Sequence, residues 1–274
     1  MKLALLSDVH GNLPALEAVL ADIEQWQPDQ VIANGDFINR GPNSLDCLRW
    51  AEHYRKDLRF IQGNHEELVL RAARAGKTDD SAYTLRRFAH WTALQIAPYL
   101  PAVAGWERER TLRDAGGGEV EIMHGTRLGN RDGIHPTTSS GELPQKLGES
   151  GTLFVTSHTH RPLITRHNGT LVVNTGSVGS SFDRDCRAAY ARCQYRHSRW
   201  EAEIVRIRYD RHRAEKNFDE SGFLSGAGPL ARIMLLEFQH CRGYMAPWMH
   251  SYEAAVRSGS IAIEDAVDRY LKAL

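Results

Sequence analysis

Five short segments of this chain, taken in order, carry side chains that bind metal ions or phosphate. They are Asp8-Val9-His10-Gly11, Gly35-Asp36 leading to Arg40-Gly41, Gly63-Asn64-His65-Glu66, His124-Gly125, and His158-Thr159-His160. Together they offer two carboxylates, an amide oxygen and several imidazoles, a donor set large enough for two ions. In Asp8-x-His10 and His158-x-His160 the ligands stand two apart, and alternate residues at a strand end point the same way. Asp8 and His10 are therefore placed to share an ion. Asp36, after a glycine, is placed to bridge two cations; a shared carboxylate holds such a pair roughly 3.5–4 Å apart despite their repulsion. Mixed oxygen and nitrogen ligation suits Mn, Fe or Zn, whereas Mg and Ca prefer oxygen alone. Each segment alone has a plainer reading: Asp8 as a helix cap, Arg40 as half of a surface ion pair, and any single histidine as a surface group. Five such loops in one chain outweigh it.

The elements around these segments explain their placement. An apolar run over 1–7 reads as a buried strand that stops at Ser7-Asp8. A helical pattern follows over 13–26, then a strand over 30–33 ending at Asn34-Gly35-Asp36. A helix over 44–54 and a strand over 58–61 lead to Gly63-Asn64-His65. Strand, loop, helix, repeated, predicts parallel pairing with right-handed crossovers. Asp8, Asp36 and Asn64 then fall just past successive strand ends, where open α/β sheets assemble their sites. Helices over 65–75 and 81–97 come next. Beyond them the texture turns to short strands, at 107–112, 119–123, 153–156, 163–167, 171–174, 188–194 and 199–209. His167-Asn168-Gly169-Thr170 between two of these is a hairpin signal. Two packed sheets flanked by helices fit this change better than one doubly wound sheet. The Gly/Ser-rich stretch 221–228 reads as a linker, and helical spacing resumes from Pro229.

Composition narrows the class. Apolar residues make up 42% of the 274, enough for a sizeable core, and Lys+Arg equals Asp+Glu at 34 each, so no overall field favours nucleic acid or an anionic membrane. Cys47, Cys186, Cys193 and Cys241 show no C-x-x-C spacing and read as idle thiols of a reducing cytosol. The opening Lys2-Leu3-Ala4-Leu5-Leu6 is too short for a signal-peptide core, and no window reaches the ~18 apolar residues of a membrane span. The expectation is a cytoplasmic protein with neither membrane nor obligate nucleic-acid partner.

The order D-x-H, G-D-x-x-x-R-G, G-N-H-E, H-G, H-x-H resembles the calcineurin-like metallophosphoesterase superfamily, over about residues 1–210. The run from His158 to Gly179 is similar to its bacterial and archaeal small phosphodiesterase branch. The segments 35–42 and 63–66 are similar to bacterial serine/threonine phosphatases and diadenosine tetraphosphate hydrolases. The resemblance implies a four-layer αββα sandwich of two mixed sheets, here over 1–220, with a C-terminal helical extension over 221–274. It implies two divalent ions, Mn or Fe ahead of Zn. Asp8, His10 and His160 would hold one, Asn64, His124 and His158 the other, and Asp36 both. His65 resembles the family's general acid and Arg40 its phosphate-oxygen binder, so His65, Arg40 and Asp36 form the expected catalytic group. Asn64, Arg40 and His65 form the expected substrate contacts.

The implied reaction is hydrolysis of a small phosphodiester, or also a monoester, by a hydroxide bridging two metals. A diadenosine polyphosphate hydrolase or serine/threonine phosphatase is the alternative. A catalytically silent metal-binding platform is the non-enzyme alternative, disfavoured because His65 and every expected ligand remain. Two positions depart from the family pattern. Asn39 stands where the phosphatase branch has an Asp paired with the acid histidine, so it brings no charge to an imidazolium. Ser157 replaces a glycine before H-x-H, which fits if that position avoids positive φ. The insert over 126–151, with Arg127, Arg131 and His135, is either a substrate-facing rim or a solvated loop. The tail either packs on its own domain, lids the site or forms a homodimer contact.

Overall fold

In the computed structural model, which describes residues 1–54, 57–77 and 81–274, two five-stranded mixed sheets pack face to face. The first has the order β10-β9-β1-β2-β3, with β1 (Lys2–Leu6), β2 (Gln30–Asn34) and β3 (Arg59–Ile61) parallel, and β9 (Ala188–Arg196) and β10 (Arg199–Ile207) antiparallel beyond β1. The second has the order β4-β5-β6-β8-β7, from β4 (Glu109–Arg113), β5 (Glu119–Met123), β6 (Leu153–Thr156), β7 (Leu163–His167) and β8 (Thr170–Asn174). The expected hairpin joins β7 to β8, with His167 opposite Thr170.

The apolar run of β1 is continuous because both its faces are covered. Leu3 and Leu5 meet Val120, Ile122, Val155 and Val173 of the second sheet, together with Trp200, in the core between the sheets. Ala4 and Leu6 face outward to α1 (Leu13–Trp26), which contributes Leu16, Val19, Leu20 and Ile23. Each of those four, fully buried, is worth about 1.5–3 kcal/mol relative to exposure. Asn12 caps α1 by accepting from the Ala15 amide at 3.2 Å, and Pro14 follows in the first turn. The helix cap is thereby fixed two residues after His10.

Helices α2 (Ser44–Tyr54), α3 (Asn64–Ala75), α4 (Ser81–Gln95) and α5 (Leu100–Ala104) complete the layer on the first sheet. The second sheet is covered more thinly. Phe154 and Val172 pack against Ile134, Leu143 and Leu147, the last two from the short α6 (Leu143–Leu147). The 126–151 insert thus supplies a core layer as well as a loop.

After β10 come α7 (Arg211–Glu220), α8 (Phe223–Gly226), α9 (Leu230–His240), α10 (Met245–Arg257) and α11 (Ile263–Lys272). The stretch expected as a linker is instead α8 and its flanks, with Phe223 wholly buried in the same core as α1 and β1. Its Gly and Ser content hid a structured corner. A second expectation is also corrected: Cys186 and Cys241 form a disulfide, leaving only Cys47 and Cys193 as buried thiols. The two partners lie 55 residues apart and carry no spacing signal; the fold alone brings them together. Among the described residues no helix is long and apolar enough to cross a membrane.

Candidate metal centre and its surroundings

All five segments converge at the ends of β1, β2, β3, β5 and β6. Backbone bonds lock the first two loops together: Asp8 N donates to Gly35 O, His10 N to Asp36 O and Gly11 N to Phe37 O, at 3.0, 3.0 and 3.2 Å. The third loop is tied in by Glu66, which is fully buried. Its two carboxylate oxygens accept from the amides of Gly63 (2.7 Å), Asp36 (2.8 Å), Phe37 (2.8 Å) and Ile38 (3.2 Å). Burial and the nearby Asp36 charge push Glu66 up to about 7, against the pull of the Gly63, Ile38 and Asp36 amides.

The loops come so close that two glycines have no room for a side chain. A Cβ on Gly35, at φ +82°, would stand 2.5 Å from His124 Nδ1, and one on Gly63 would overlap the Asp36 carboxylate. The backbone is also unusual at the functional positions. Asp8, His10, Asp36, Asn39, Arg40, His158 and His160 all have positive φ, seven of the thirteen such non-glycine residues described. Conformations of this kind cost of order 1–3 kcal/mol each and gather where surrounding structure enforces them. Ser157 is outside that region, as its substitution for glycine requires, and its hydroxyl accepts from Asn34 Nδ2 at 2.7 Å.

Two groups of side chains each bring their ligand atoms within 4.8 Å of one another: Asp8, His10 and His160, and Asp36, His124 and His158. In the first, His160 Nε2 lies 3.1 Å from Asp8 Oδ1 and 3.2 Å from His10 Nε2. In the second, His124 Nε2 is 3.3 Å from Asp36 Oδ2 and 3.2 Å from Asn64 Oδ1. Asp36 Oδ2 is also 3.8 Å from His10 Nε2, so this carboxylate reaches both groups. Its other oxygen accepts from the His65 amide at 2.8 Å.

This set fits two cations. Asp8 Oδ1 is buried with no hydrogen-bond partner, and a carboxylate oxygen left so is costly unless a charge meets it. The Nε2 atoms of His10 and His160 face each other beside it at 3.2 Å, as two ligands of one ion would. Second contacts fix the rings. His124 Nδ1 lies 3.0 Å from Asn34 O, and His160 Nδ1 bonds Ser180 O while its ring stacks on Phe182 at 4.2 Å. In the metal-free protein, burial opposes charge on His124, yet the Asp36 carboxylate outweighs it and holds the imidazole at about 10. Burial likewise disfavours charge on Asp36, but His124 and His65 bring it well below the ordinary range. Burial lowers His158 to about 4 and His10 well below its usual value.

The remaining residues singled out from sequence have definite places. His65 Nδ1 is 2.9 Å from Asn39 Nδ2, and Asn39 Oδ1 accepts from Thr92 Oγ1 at 3.1 Å. Burial, reinforced by Arg40, holds His65 down to about 3. Arg40 borders a cavity shared with His10, Asn12 and Ser180, and it is ion-paired. Its partner, however, is the buried Glu237 of α9, so the surface-pair alternative is corrected. In the insert, Arg127 pairs with Glu109 and Glu121 and is committed to β4 and β5. His135 lies 2.5 Å from Arg161 Nη1, next in sequence to His160, and Arg131 is exposed. Sequence reasoning gave no role to Glu66, although it stands in the third segment. Ser180, Phe182 and Glu237 carried no signal at all.

Comparison with known proteins agrees with this geometry. A symmetrical bis(5'-nucleosyl)-tetraphosphatase of Hamiltonella defensa subsp. Acyrthosiphon pisum (strain 5AT) is 37% identical over 109 residues, 39% of this chain and 38% of that protein. The match therefore spans well under half of that relative. An uncharacterized protein of Methanocaldococcus jannaschii is 26% identical over 230 residues, covering 76% of this chain and 88% of its own. A metallophosphoesterase of Sphaerobacter thermophilus shares the fold with a TM-score of 0.69 at 21% identity, over 88% of this chain and all of the other. Metallophosphoesterases use divalent metal ions, and the two ligand groups here are where this chain could hold them. The family model for the calcineurin-like phosphoesterase superfamily domain matches residues 1–197, and the chain belongs to that superfamily of phosphoester hydrolases.

Proposed function

We propose that this protein is a dimetal phosphodiesterase in which Asp8, His10 and His160 hold one divalent ion, Asn64, His124 and His158 the other, and Asp36 both. The observation that carries this reading is the reach of Asp36 Oδ2 to imidazoles of both ligand groups, 3.3 Å to His124 and 3.8 Å to His10. When bound, such a pair of cations supplies hydroxide near neutral pH and neutralises phosphoryl oxygens. The protein's own part is to orient the substrate and the departing group. Arg40 offers a planar fork to the phosphoryl oxygens, and His65, beside Asn64, faces the same centre. The mixed donors suit Mn, Fe or Zn, and the family resemblance favours Mn or Fe.

One observation favours a second reading, hydrolysis of a phosphoanhydride such as a dinucleoside polyphosphate. The amide of Asn39 gives no charge to His65, so the departing group receives little acid help; a polyphosphate, already a stable anion, needs little. The tetraphosphatase relative points the same way. The test is turnover of bis(4-nitrophenyl) phosphate, alkyl and cyclic diesters, monoesters, a phosphopeptide and diadenosine tetraphosphate by the Mn²⁺-loaded protein. Diester turnover supports the first reading, and tetraphosphate far above diesters selects the second. Bound Mn²⁺ with no turnover of any substrate would refute both.

A further inference from the structure

The C-terminal helices reach the site through one carboxylate. Glu237, on α9, is 1% exposed, and its Oε2 accepts from Nη2 of Arg40, itself 13% exposed. A buried carboxylate is normally satisfied on both oxygens, and this one is. Oε1 accepts from the amides of Tyr244 and Met245 at 2.7 Å each, at the start of α10. Glu237 is therefore held by its own helical segment and does not depend on Arg40 for its position. The end of α9 is also pinned. Cys241, its cap, is disulfide-bonded to Cys186, and its carbonyl accepts from the Arg184 amide at 2.9 Å. That loop carries Phe182, whose ring lies 5.8 Å from the Arg40 guanidinium and stacks on the ligand His160. Arg40 itself sits on strained backbone, at φ +66°, so its loop does not choose the direction of a long, flexible side chain unaided.

We infer that Glu237 is a positioning residue: it fixes the Arg40 guanidinium by one nitrogen and leaves the other edge of the fork turned to the substrate phosphate, so the C-terminal helices are part of the phosphate-binding apparatus. The inference rests on the phosphate-binding role proposed for Arg40. Preorganisation of this sort lowers the side-chain ordering lost on binding. It acts on substrate capture and on phosphate product, not on metal affinity.

The experiment compares Arg40→Ala, Glu237→Gln and the double variant as Mn²⁺-loaded proteins. It reads kcat and KM for bis(4-nitrophenyl) phosphate, inhibition by inorganic phosphate, Mn²⁺ binding by calorimetry and the melting temperature. In Glu237→Gln the amide oxygen still serves Tyr244 and Met245, while its NH₂ faces Arg40 and cannot accept. If the inference holds, Arg40→Ala weakens phosphate inhibition about 10- to 100-fold, the range for loss of a charge-assisted hydrogen bond. Glu237→Gln should give a large part of the same loss with Mn²⁺ binding unchanged. The double variant should be no worse than Arg40→Ala. Glu237→Gln with normal KM and phosphate inhibition, beside a defective Arg40→Ala, overturns the inference and leaves a structural ion pair. Faster turnover in Glu237→Gln overturns it in the other direction, since the carboxylate would then be competing with substrate. An unaffected Arg40→Ala removes the Arg40 reading itself. Should Glu237→Gln fail to fold, Glu237→Asp, which keeps the charge but draws it back from Arg40, is judged by the same criteria.

Discussion

Replacing Asn39 by Asp should convert the way this site treats poor leaving groups. In the wild type, Asn39 Nδ2 donates to His65 Nδ1 at 2.9 Å, which leaves the ring proton on Nε2 and the imidazole neutral. Burial and Arg40 hold His65 down to about 3, so imidazolium is scarce at any pH where the protein works. A carboxylate at the same position would sit roughly 4 Å from the imidazolium charge, worth ~4 kcal/mol at an effective dielectric near 20. That lifts His65 by roughly 3 pH units, towards the range where imidazoles ordinarily titrate. Bound cations lower both proteins' values, but the difference between them remains. Thr92, which donates to Asn39 Oδ1 at 3.1 Å, would serve an Asp equally well. The assay is kcat/KM over a series of aryl and alkyl phosphodiesters at several pH values. Wild type should show a steep fall with rising leaving-group pKa. Asn39→Asp should flatten it, raising the poorest substrates by about 10²–10⁴-fold, the usual worth of general-acid help, and leaving 4-nitrophenyl esters unchanged. It should also gain an alkaline limb, because activity then needs a protonated His65. Identical slopes and pH profiles in the two proteins would refute the coupling.

Further outcomes follow from other contacts. Glu66→Gln leaves two of four buried amide donors without an acceptor, a cost of about 3–6 kcal/mol, so the urea midpoint and Mn²⁺ affinity should both fall; unchanged values would remove Glu66 as the clamp of the Asp36 loop. In the metal-free protein His10, His65 and His158 are held neutral, the last two at about 3 and 4. The unfolded chain takes up those three protons below its own pKa near 6.5 and the folded one does not, whereas Glu66, held at about 7, takes up one proton in the fold that the unfolded carboxylate refuses until about 4.5, so stability should drop by a net ~3 kcal/mol per pH unit between pH 6 and 5. His124, held at about 10, has the opposite sign and weakens the fold only on the alkaline side; a flat urea midpoint from pH 7 to 5 would contradict this. Reducing the Cys186–Cys241 bond, which closes 55 residues, should lower stability by about 4 kcal/mol on the chain-entropy model, read as a lower melting temperature that a Cys186→Ser variant reproduces without reductant.

What was legible in the sequence and what was not divides along physical lines. The loops that carry the candidate ligands could be read because local order determines them. A buried strand must end, the residues just past it are exposed to the sheet edge, and Asp8, Asp36 and His124 stand there in any fold that pairs these strands in parallel. Leu3 and Leu5 against Ala4 and Leu6 likewise announce a strand covered on both sides, and the structure divides them between the inter-sheet core and α1. The stretch 221–228 misled because Gly and Ser report backbone freedom, whereas its Phe223 is anchored by contacts from distant parts of the chain. Arg40 with Glu237 and Cys186 with Cys241 are long-range meetings, 197 and 55 residues apart. No periodicity encodes them.

The strained backbone links these two kinds of information. Seven site residues adopt positive φ, six of them Asp, His or Arg and the seventh Asn39, in a conformation that is uncommon outside glycine. The strain holds because neighbouring loops over-determine each position: Gly35 O and Asp36 O accept from the first loop, and Glu66 grips the second. Arg40 joins the two, since its backbone belongs to the rigid loop while its guanidinium is ion-paired to a helix outside the 1–197 family match. The loops of the centre lie within the residues that the superfamily model matches, and the ion pair on Arg40 comes from the C-terminal helices beyond them.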